Sequence, residues 1–310
     1  MQPAIDPIAH PDATAATAPA AHVKPLVIFS HGNSFPGGTY RLVLEGLQAQ
    51  GFDTLALDRF GHDPRYPVTS NWPHLVQQLA DFVEQAMQVR TADDAPVYLV
   101  GHSLGGFVSL MCAARFPLLG GRGVQGVVLL DSPILGGWKA KALAVAKHTQ
   151  VVGSLSPGKV SQKRRHQWPS AEAVHEHLAH KRAFALWHPQ VLADYIAHGT
   201  EDAALPDGST HRVLRFDRDV ETAIYNTLPH NLDRLLRQHP LTCPVAFVGG
   251  TQSAEMKQVG MTMTRKVVQP DRHPERLRMI EGTHLFPMEK PAETAQVVGE
   301  VLRGWSPTAG

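Results

Sequence analysis

Cysteine is scarce in this sequence, which has only two, Cys112 and Cys243, among its 310 residues. Both lie in apolar surroundings, so we expect buried free thiols rather than the disulfide framework of an oxidising compartment. No apolar run is long enough to cross a bilayer, and the N-terminal residues lack the basic start and continuous apolar core of a signal peptide. These absences predict a soluble cytoplasmic protein.

An excess of charge of one sign is also lacking. The formal net charge is +1 with histidine neutral, so no strong field would attract nucleic acid or a membrane surface, and we expect neither as a partner. The basic run Lys163-Arg164-Arg165 is interpreted as a solvated surface. No phosphate-binding glycine loop or dinucleotide fingerprint is present, and we expect no cofactor.

The chain has instead a regular alternation of short apolar segments and amphipathic segments. Strands are predicted over 26–29, 53–60, 96–100, 124–130, 244–248 and 276–280, and helices over 39–50, 72–89, 104–116 and 290–305. Strands that are apolar along their length and separated by helices indicate a mostly parallel, doubly wound α/β sheet with both faces covered.

The alternation stops between about 133 and 230, where the pattern favours helices and shows no buried strand. We therefore predict one α/β core domain formed by 25–132 and 231–310, with a helical cap formed by 133–230. Residues 1–24, which are rich in alanine and proline, are predicted to form a flexible arm.

One motif with chemical meaning, Gly101-His102-Ser103-Leu104-Gly105, stands between the third predicted strand and the following helix. This is the pattern G-x-S-x-G. A strand that turns sharply into a helix holds the central serine in strained backbone angles, and small neighbours relieve the crowding. The Ser103 hydroxyl would then project at the carboxyl edge of the sheet, beside a helix N-terminus that favours developing negative charge.

With this motif the sequence resembles the α/β-hydrolase superfamily over nearly all of 25–305. Three further segments carry the likeness, in the family's order along the chain: SHGN at 30–33, DRFGH at 58–62 and GTHLFPMEKP at 282–291. The resemblance implies the α/β-hydrolase fold with a cap inserted after the strand that ends at Asp131. It also implies a nucleophile, an acid and a histidine in that chain order.

The resemblance assigns the base and the oxyanion hole. A serine hydroxyl needs a base to accept its proton, and the chain has 18 histidines, so abundance selects none of them. The family position between the last strand and the closing helix is held by His284, whereas His31 and His102 stand at positions that are usually structural. The oxyanion donors would be the backbone N–H groups of Asn33 and Leu104.

The acid is less clearly marked. Its usual place in the family is the turn after the strand 244–248, but that turn (GGTQSAE) contains no aspartate. Asp131, at the end of the fourth strand, is one candidate, because some family members carry their acid there. Glu255, slightly beyond the usual turn, is the other. We favour Asp131, although many relatives carry a structural aspartate at that position.

Three further features lie near the predicted site or in the predicted cap. Gly37-Gly38 would let a substrate approach closely. The cap aromatics are expected mainly in the core of the cap, with some lining an apolar pocket; they are Trp138, Trp168, Phe184, Trp187 and Tyr195. The histidines of the run 175–180 lack the four-residue spacing of a zinc-binding helix, so we expect a polar helix face and no metal.

Together these features predict a serine hydrolase that cleaves a carboxylic ester or a related acyl bond of a small, largely apolar molecule through an acyl-Ser103 intermediate. Aspartate-dependent dehalogenase and epoxide hydrolase chemistry is disfavoured, because the elbow residue is serine. A C–C bond hydrolase, a lactonase, an amidase or a non-catalytic ligand-binding protein are the alternatives on the same scaffold.

Overall fold

A computed structural model describes residues 23–90, 95–136 and 161–305. Within these ranges the chain forms nine strands, numbered in chain order and arranged in two sheets. They are β1 (Leu26–Ser30), β2 (Asp53–Ala56), β3 (Val97–His102), β4 (Gly126–Leu130), β5 (Gln167–Trp168), β6 (Thr200–Ala204), β7 (Thr210–Leu214), β8 (Val245–Gly250) and β9 (Leu277–Ile280).

The larger sheet has six strands in the order β2-β1-β3-β4-β8-β9, and every neighbouring pair is parallel. Alternate side chains of its strands enter two separate apolar clusters. In β1, Leu26 and Ile28 belong to one cluster while Val27 and Phe29 belong to the other. Both faces are therefore covered, as expected for a parallel sheet with helical crossovers, and the predicted α/β-hydrolase architecture is confirmed.

The helices pack on both faces of this sheet and around its carboxyl edge. In chain order the α-helices are α1 (Arg41–Gln48), α2 (Pro73–Gln88), α3 (Leu104–Arg115), α4 (Ala171–Ala179), α5 (Pro189–Gly199), α6 (Arg218–Asn226), α7 (Leu232–Gln238), α8 (Ala254–Val259), α9 (Thr262–Val268), α10 (Phe286–Glu289) and α11 (Pro291–Arg303). Helices α2 and α3 contribute to the first cluster, and α1 and α11 to the second.

The second predicted strand is shorter in the structure than in the sequence prediction. It ends at Ala56 instead of continuing to residue 60. After Leu57, whose N–H still bonds to Phe29, the backbone leaves β1, and the Phe60 N–H donates to the ring of His31 instead of to a strand. An apolar run thus continues beyond the ladder because its last residues pack around a buried histidine.

The described part of the predicted cap contains more than helices. Strands β5, β7 and β6 form a three-stranded antiparallel sheet, in addition to α4, α5 and α6. The prediction of a purely helical segment was wrong on this point. Most residues of β6 are exposed and most of β7 are only partly buried. Since β6 reads TEDAA and β7 reads THRVL, neither strand produces an apolar run that sequence analysis would recognise.

Other expectations concern single segments. Cys112 and Cys243 are both free thiols, the first buried and the second half-buried. Of the predicted arm 1–24, residues 1–22 lie outside the described residues, and so does Trp138. Among the helices of the described residues, none has the length and apolar character needed to span a membrane.

Candidate functional site

Ser103 occupies a strained turn between β3 and α3. Its backbone has φ 53° and ψ −114°, a region that non-glycine residues rarely adopt. A Cβ added at Gly101 would stand 2.3 Å from the Gly105 backbone, and one added at Gly105 would stand 2.0 Å from the Ser30 carbonyl oxygen. Both glycines are required because the start of α3 packs directly against the ends of the strands.

The structure brings Ser103, His284 and Asp131 into one hydrogen-bonded line. His284 Nε2 lies 3.0 Å from Ser103 Oγ, and His284 Nδ1 lies 2.9 Å from Asp131 Oδ1. The carboxylate is acceptor-only, so Nδ1 carries the ring proton and Nε2 is left free to accept the serine proton. The arrangement can therefore generate a serine alkoxide equivalent and hold the imidazole in the tautomer that this requires.

Asp131 is fully buried at the end of β4, with φ 42°. Besides the His284 contact, its Oδ1 accepts a hydrogen bond from the Ser253 hydroxyl (2.7 Å) and its Oδ2 accepts one from the Gly250 N–H (2.6 Å). Glu255, the alternative acid, is exposed in the first turn of α8. The pairing of β4 with β8 explains the geometry, since it places the two strand ends side by side.

The two predicted oxyanion donors follow two neighbouring strands of the larger sheet, Asn33 after β1 and Leu104 after β3. Leu104 is the first residue of α3, where amides have no partner within the helix. Asn33 lies in the turn after β1, the strand whose last residue contacts Gly105. The Gly32 carbonyl accepts hydrogen bonds from His31 Nδ1 (2.7 Å) and the Phe35 N–H (3.1 Å), which fixes the peptide plane carrying the Asn33 N–H.

Gly37 and Gly38 have a different role from the predicted one. A Cβ at Gly37 would stand 2.6 Å from the Leu57 carbonyl oxygen, and one at Gly38 would stand 2.3 Å from the ring of His198 in α5. The space beside each glycine is therefore occupied by protein. These glycines let the backbone pack closely against the end of β2 and against the cap, and the expectation of close substrate approach was wrong.

His31 and His102 are both fully buried and hydrogen-bonded. Burial lowers the pKa of His31 to about 4 and holds the pKa of His102 well below its usual range, so both rings are neutral near pH 7. His31 donates to Gly32 and accepts from the Phe60 N–H, tying the loop after β1 to the loop after β2. These contacts agree with the expectation that both residues are structural.

The cap aromatics mostly form the core of the cap. Trp168, Trp187 and Tyr195 are buried, and Phe184 is half-buried. Phe35, which belongs to the loop after β1, makes edge contacts with Trp187 and Tyr195 at ring-centroid distances of 5.6 Å and 5.8 Å. An apolar, aromatic surface of the cap therefore reaches the loop that carries Asn33.

The basic run 163–165 is not uniformly solvated. Lys163 and Arg165 are exposed, but Arg164 donates to buried Glu221 (2.8 Å) and to Tyr195 Oη (2.5 Å). The interpretation as a solvated surface was wrong for Arg164. The carbonyl oxygen of Glu221 accepts a hydrogen bond from Asn33 Nδ2 (3.1 Å), so the acidic partner of this ion pair lies in α6, the cap helix that contacts the loop after β1.

Three residues of the site were not singled out from the sequence: Gly250, Ser253 and Tyr40. Ser253 caps α8, since its Oγ accepts from the Met256 N–H, and it donates the same hydroxyl to Asp131. A serine directly before a helical segment indicates a helix N-cap, but it does not indicate the hydrogen bond to Asp131. Among the described residues, no cluster of three or more histidine, cysteine or acidic side chains could hold a metal ion.

Part of the chain is similar in sequence to curated proteins. A monoglyceride lipase homolog of Monkeypox virus is 26% identical over 148 residues, which are 46% of this chain and 54% of that protein. A monoglyceride lipase of Rattus norvegicus is 27% identical over 149 residues, or 46% of this chain and 47% of that protein. The chain thus spans about half the length of these curated relatives.

Likeness of fold extends over nearly the whole chain. A peroxisomal α/β-hydrolase of Saccharomyces cerevisiae superposes with a TM-score of 0.65 at 14% identity, covering 93% of this chain and 79% of that one. The sequence model of the alpha/beta hydrolase family matches residues 27–297. Because this match covers far more than half of the chain, the protein belongs to the alpha/beta hydrolase family.

Proposed function

We propose that this protein is a serine hydrolase that cleaves a carboxylic ester or a related acyl bond of a small, largely apolar substrate. The observation that carries the proposal is the 3.0 Å contact between Ser103 Oγ and His284 Nε2, with Asp131 on the other side of the imidazole. A nucleophile, a base and a group that orients the base are the parts that acyl transfer requires.

In the acylation step, His284 Nε2 accepts the proton of Ser103 while Oγ forms a bond to the acyl carbon. The carbonyl electron pair moves onto its oxygen, where the N–H groups of Asn33 and Leu104 donate to the negative charge. When the carbonyl re-forms, the bond to the leaving oxygen breaks, and that oxygen takes the proton from the imidazolium. The products of this step are an alcohol and an acyl-Ser103 ester.

In the deacylation step, a water molecule replaces the alcohol. His284 accepts one water proton as the water oxygen attacks the acyl carbon, and the proton then returns to Ser103 Oγ as the acid is released. Asp131 stabilises the imidazolium in both steps through its contact with Nδ1. Its two other hydrogen bonds, from Gly250 and Ser253, hold the carboxylate in place.

The substrate class is supported by the surroundings of the site and by the curated relatives. Phe35 contacts aromatic side chains of the cap, which suits an apolar acyl or alcohol group. Two of the curated relatives are named as a monoglyceride lipase and a monoglyceride lipase homolog. Our proposal therefore includes fatty acyl esters of small alcohols among the substrates, with a small molecule as the only required partner and no cofactor.

The direct test is labelling with a fluorophosphonate probe, which reacts with activated serines. We expect the purified wild-type protein to be labelled at Ser103 and Ser103→Ala to remain unlabelled. Ser109→Ala is a matched control, because Ser109 is a buried serine on α3, the helix that follows Ser103, and has no role in the site. Labelling that persists in Ser103→Ala, or a wild-type protein that is not labelled, would contradict the proposal.

A panel of p-nitrophenyl esters with acyl chains of two to sixteen carbons would then define the acyl preference. We expect turnover that rises with acyl chain length until the chain exceeds the aromatic surface around Phe35. An unlabelled protein that still binds these esters without cleaving them would favour the ligand-binding alternative.

A further inference from the structure

His102 stands directly before Ser103 but its side chain takes part in a different set of contacts. His102 Nδ1 lies 2.7 Å from Tyr40 Oη, and His102 Nε2 lies 2.9 Å from the backbone carbonyl oxygen of His284. Tyr40 Oη also receives the N–H of Gly32 at 2.9 Å. A continuous line of hydrogen bonds therefore joins the loop after β1 to the backbone of His284.

The direction of each hydrogen bond follows from the chemistry of the groups. A carbonyl oxygen only accepts, so His102 Nε2 must carry the proton and donate to His284. Because burial keeps the His102 ring neutral, its Nδ1 has no proton and accepts from the Tyr40 hydroxyl. The Tyr40 oxygen in turn accepts from the Gly32 N–H, so every polar atom along this line has a suitable partner.

The packing around these residues leaves little freedom for them to move. Tyr40 is 1% exposed and His102 is fully buried. A Cβ added at Gly32 would stand 2.8 Å from His102 Nδ1 and 3.0 Å from Tyr40 Oη, so the loop passes directly over both groups. The ring centroids of His102 and His284 are 5.0 Å apart.

We propose that Tyr40 and His102 are positioning residues that fix the backbone of the base His284 relative to the oxyanion loop. The two ends of their hydrogen-bonded line lie at two parts of the proposed catalytic machinery. One end holds the carbonyl of His284, and the other holds the N–H of Gly32, one residue before the proposed oxyanion donor Asn33. This inference rests on the proposed function, because it concerns the alignment of the same reaction.

Alignment of this kind affects the chemical step more than binding. Displacing a catalytic group by about 1 Å can lower a rate on the order of 100-fold. Neither Tyr40 nor His102 is placed to contact the acyl chain, since both side chains are buried beneath the loop. Loss of their contacts should therefore lower kcat and leave KM nearly unchanged.

The test compares two substitutions of His102 that differ in which ring nitrogen they replace. In His102→Gln the side-chain amide reaches the position of Nε2 and can still donate to the His284 carbonyl. In His102→Asn the shorter amide occupies the position of Nδ1, so it keeps the Tyr40 contact and loses the His284 contact. Both variants lose the ring equally, which makes them a matched pair.

We expect His102→Asn to lower kcat for a p-nitrophenyl ester about 30-fold with KM changed less than about twofold, because a misplaced base slows only the chemical step. We expect His102→Gln to recover most of that loss. Equal losses in the two variants, or full activity of His102→Asn, would overturn the proposal, since the donor to His284 would then have no special importance.

Tyr40→Phe is a second test of the proposal, because it keeps the aromatic ring and its packing on Phe29. We expect kcat to fall about tenfold, with KM nearly constant, because the Gly32 N–H and His102 Nδ1 both lose their partner. This variant decides the question if His102→Asn does not fold, as judged by thermal unfolding, and an unchanged kcat would then refute the proposal. Fluorophosphonate labelling of the wild type tests the proposed function separately. If the wild type is labelled while kcat of Tyr40→Phe is unchanged, only the positioning role is refuted.

Discussion

The two sheets of this protein differ in how they are covered, and that difference decides which of them sequence analysis can find. The six-stranded sheet is parallel, and its central strands β1, β3, β4 and β8 are buried along their whole length. The cap sheet is antiparallel, and its longer strands, β6 and β7, are mostly partly buried or exposed. Burial on both faces forces continuous apolar runs, whereas partial exposure leaves no regular pattern.

The two regions also contribute unequally to the proposed chemistry. Ser103, Asp131 and His284 all follow strands of the larger sheet, where parallel strand ends meet at one edge. The cap reaches this edge through a few contacts, such as the hydrogen bond from Asn33 to Glu221. We therefore expect substitutions at the strand ends to affect reactivity strongly and substitutions at the cap contacts to adjust it.

The largest effect is expected for Asp131→Asn. If the new amide nitrogen faces His284, it imposes the wrong imidazole tautomer, and if it faces the Gly250 N–H, two donors oppose each other. In either case the negative charge that stabilises the imidazolium is lost, so kcat should fall about 10⁴-fold. Steady-state ester hydrolysis measures this loss. Glu255→Gln is the matched control in the exposed turn and should keep nearly full activity; the reverse ranking of the two variants would exclude Asp131 as the acid.

A second comparison uses one glycine from each region. Gly105→Ala places a Cβ 2.0 Å from the Ser30 carbonyl oxygen and should lower the free energy of unfolding by about 3 kcal/mol or more. Gly208→Ala, in the cap, meets no atom within 4 Å but has a φ of +84°, so the cost should be about 1 kcal/mol. Urea denaturation would measure both, and similar losses would contradict the view that the elbow is the more crowded place.

Stability should also depend on pH through the core histidines. Burial lowers the pKa of His31 to about 4 from 6.5, so the unfolded chain binds a proton there more readily than the folded protein does. The free energy of unfolding should therefore fall as the pH drops from 6.5 toward 4, by about 3 kcal/mol for this group. His31→Gln should flatten this dependence relative to wild type in urea titrations at several pH values. If the free energy of unfolding of the two proteins changed equally with pH, His31 would not contribute to the pH dependence of stability.

The smallest effect concerns the contact between the two regions. Asn33→Ala keeps the backbone N–H that we propose as an oxyanion donor and removes the side-chain bond to the Glu221 carbonyl. We expect kcat to fall about fivefold, because one neutral hydrogen bond that steadies the loop is lost. Ser209→Ala, which removes a bond within the cap alone, should leave kcat as in wild type. Equal values for the two variants would mean that the cap contact does not influence the loop.

Much of the core could be predicted from the sequence because its signals are local. The G-x-S-x-G motif between an apolar run and a helix placed Ser103 at a turn that the structure shows at φ 53°. The family likeness placed His284 in the loop after β9, and the structure brings its ring to Ser103. In both cases the neighbouring residues along the chain contain the information.

What the sequence could not decide depends on contacts between distant segments. Asp131 and Glu255 were both plausible as the acid, and only the lateral order β4-β8-β9, which brings the loop after β9 to the end of β4, places Asp131 beside His284. Arg164 looked solvated because its partner Glu221 lies 57 positions further along the chain. Tyr40 was missed for the same reason, since its partner His102 is 62 positions away.

The left-handed backbone at Ser103 and Asp131 has a consequence for laboratory evolution. Both residues keep φ values, 53° and 42°, that glycine would adopt with less strain. At Ser103, a selection that scores only heat tolerance would therefore enrich glycine and produce more stable but inert proteins. Asp131 should resist such replacement, because it is buried and accepts hydrogen bonds from Gly250, Ser253 and His284 that glycine would leave without a partner. Any library built on this chain has to be screened for turnover alongside survival of heating.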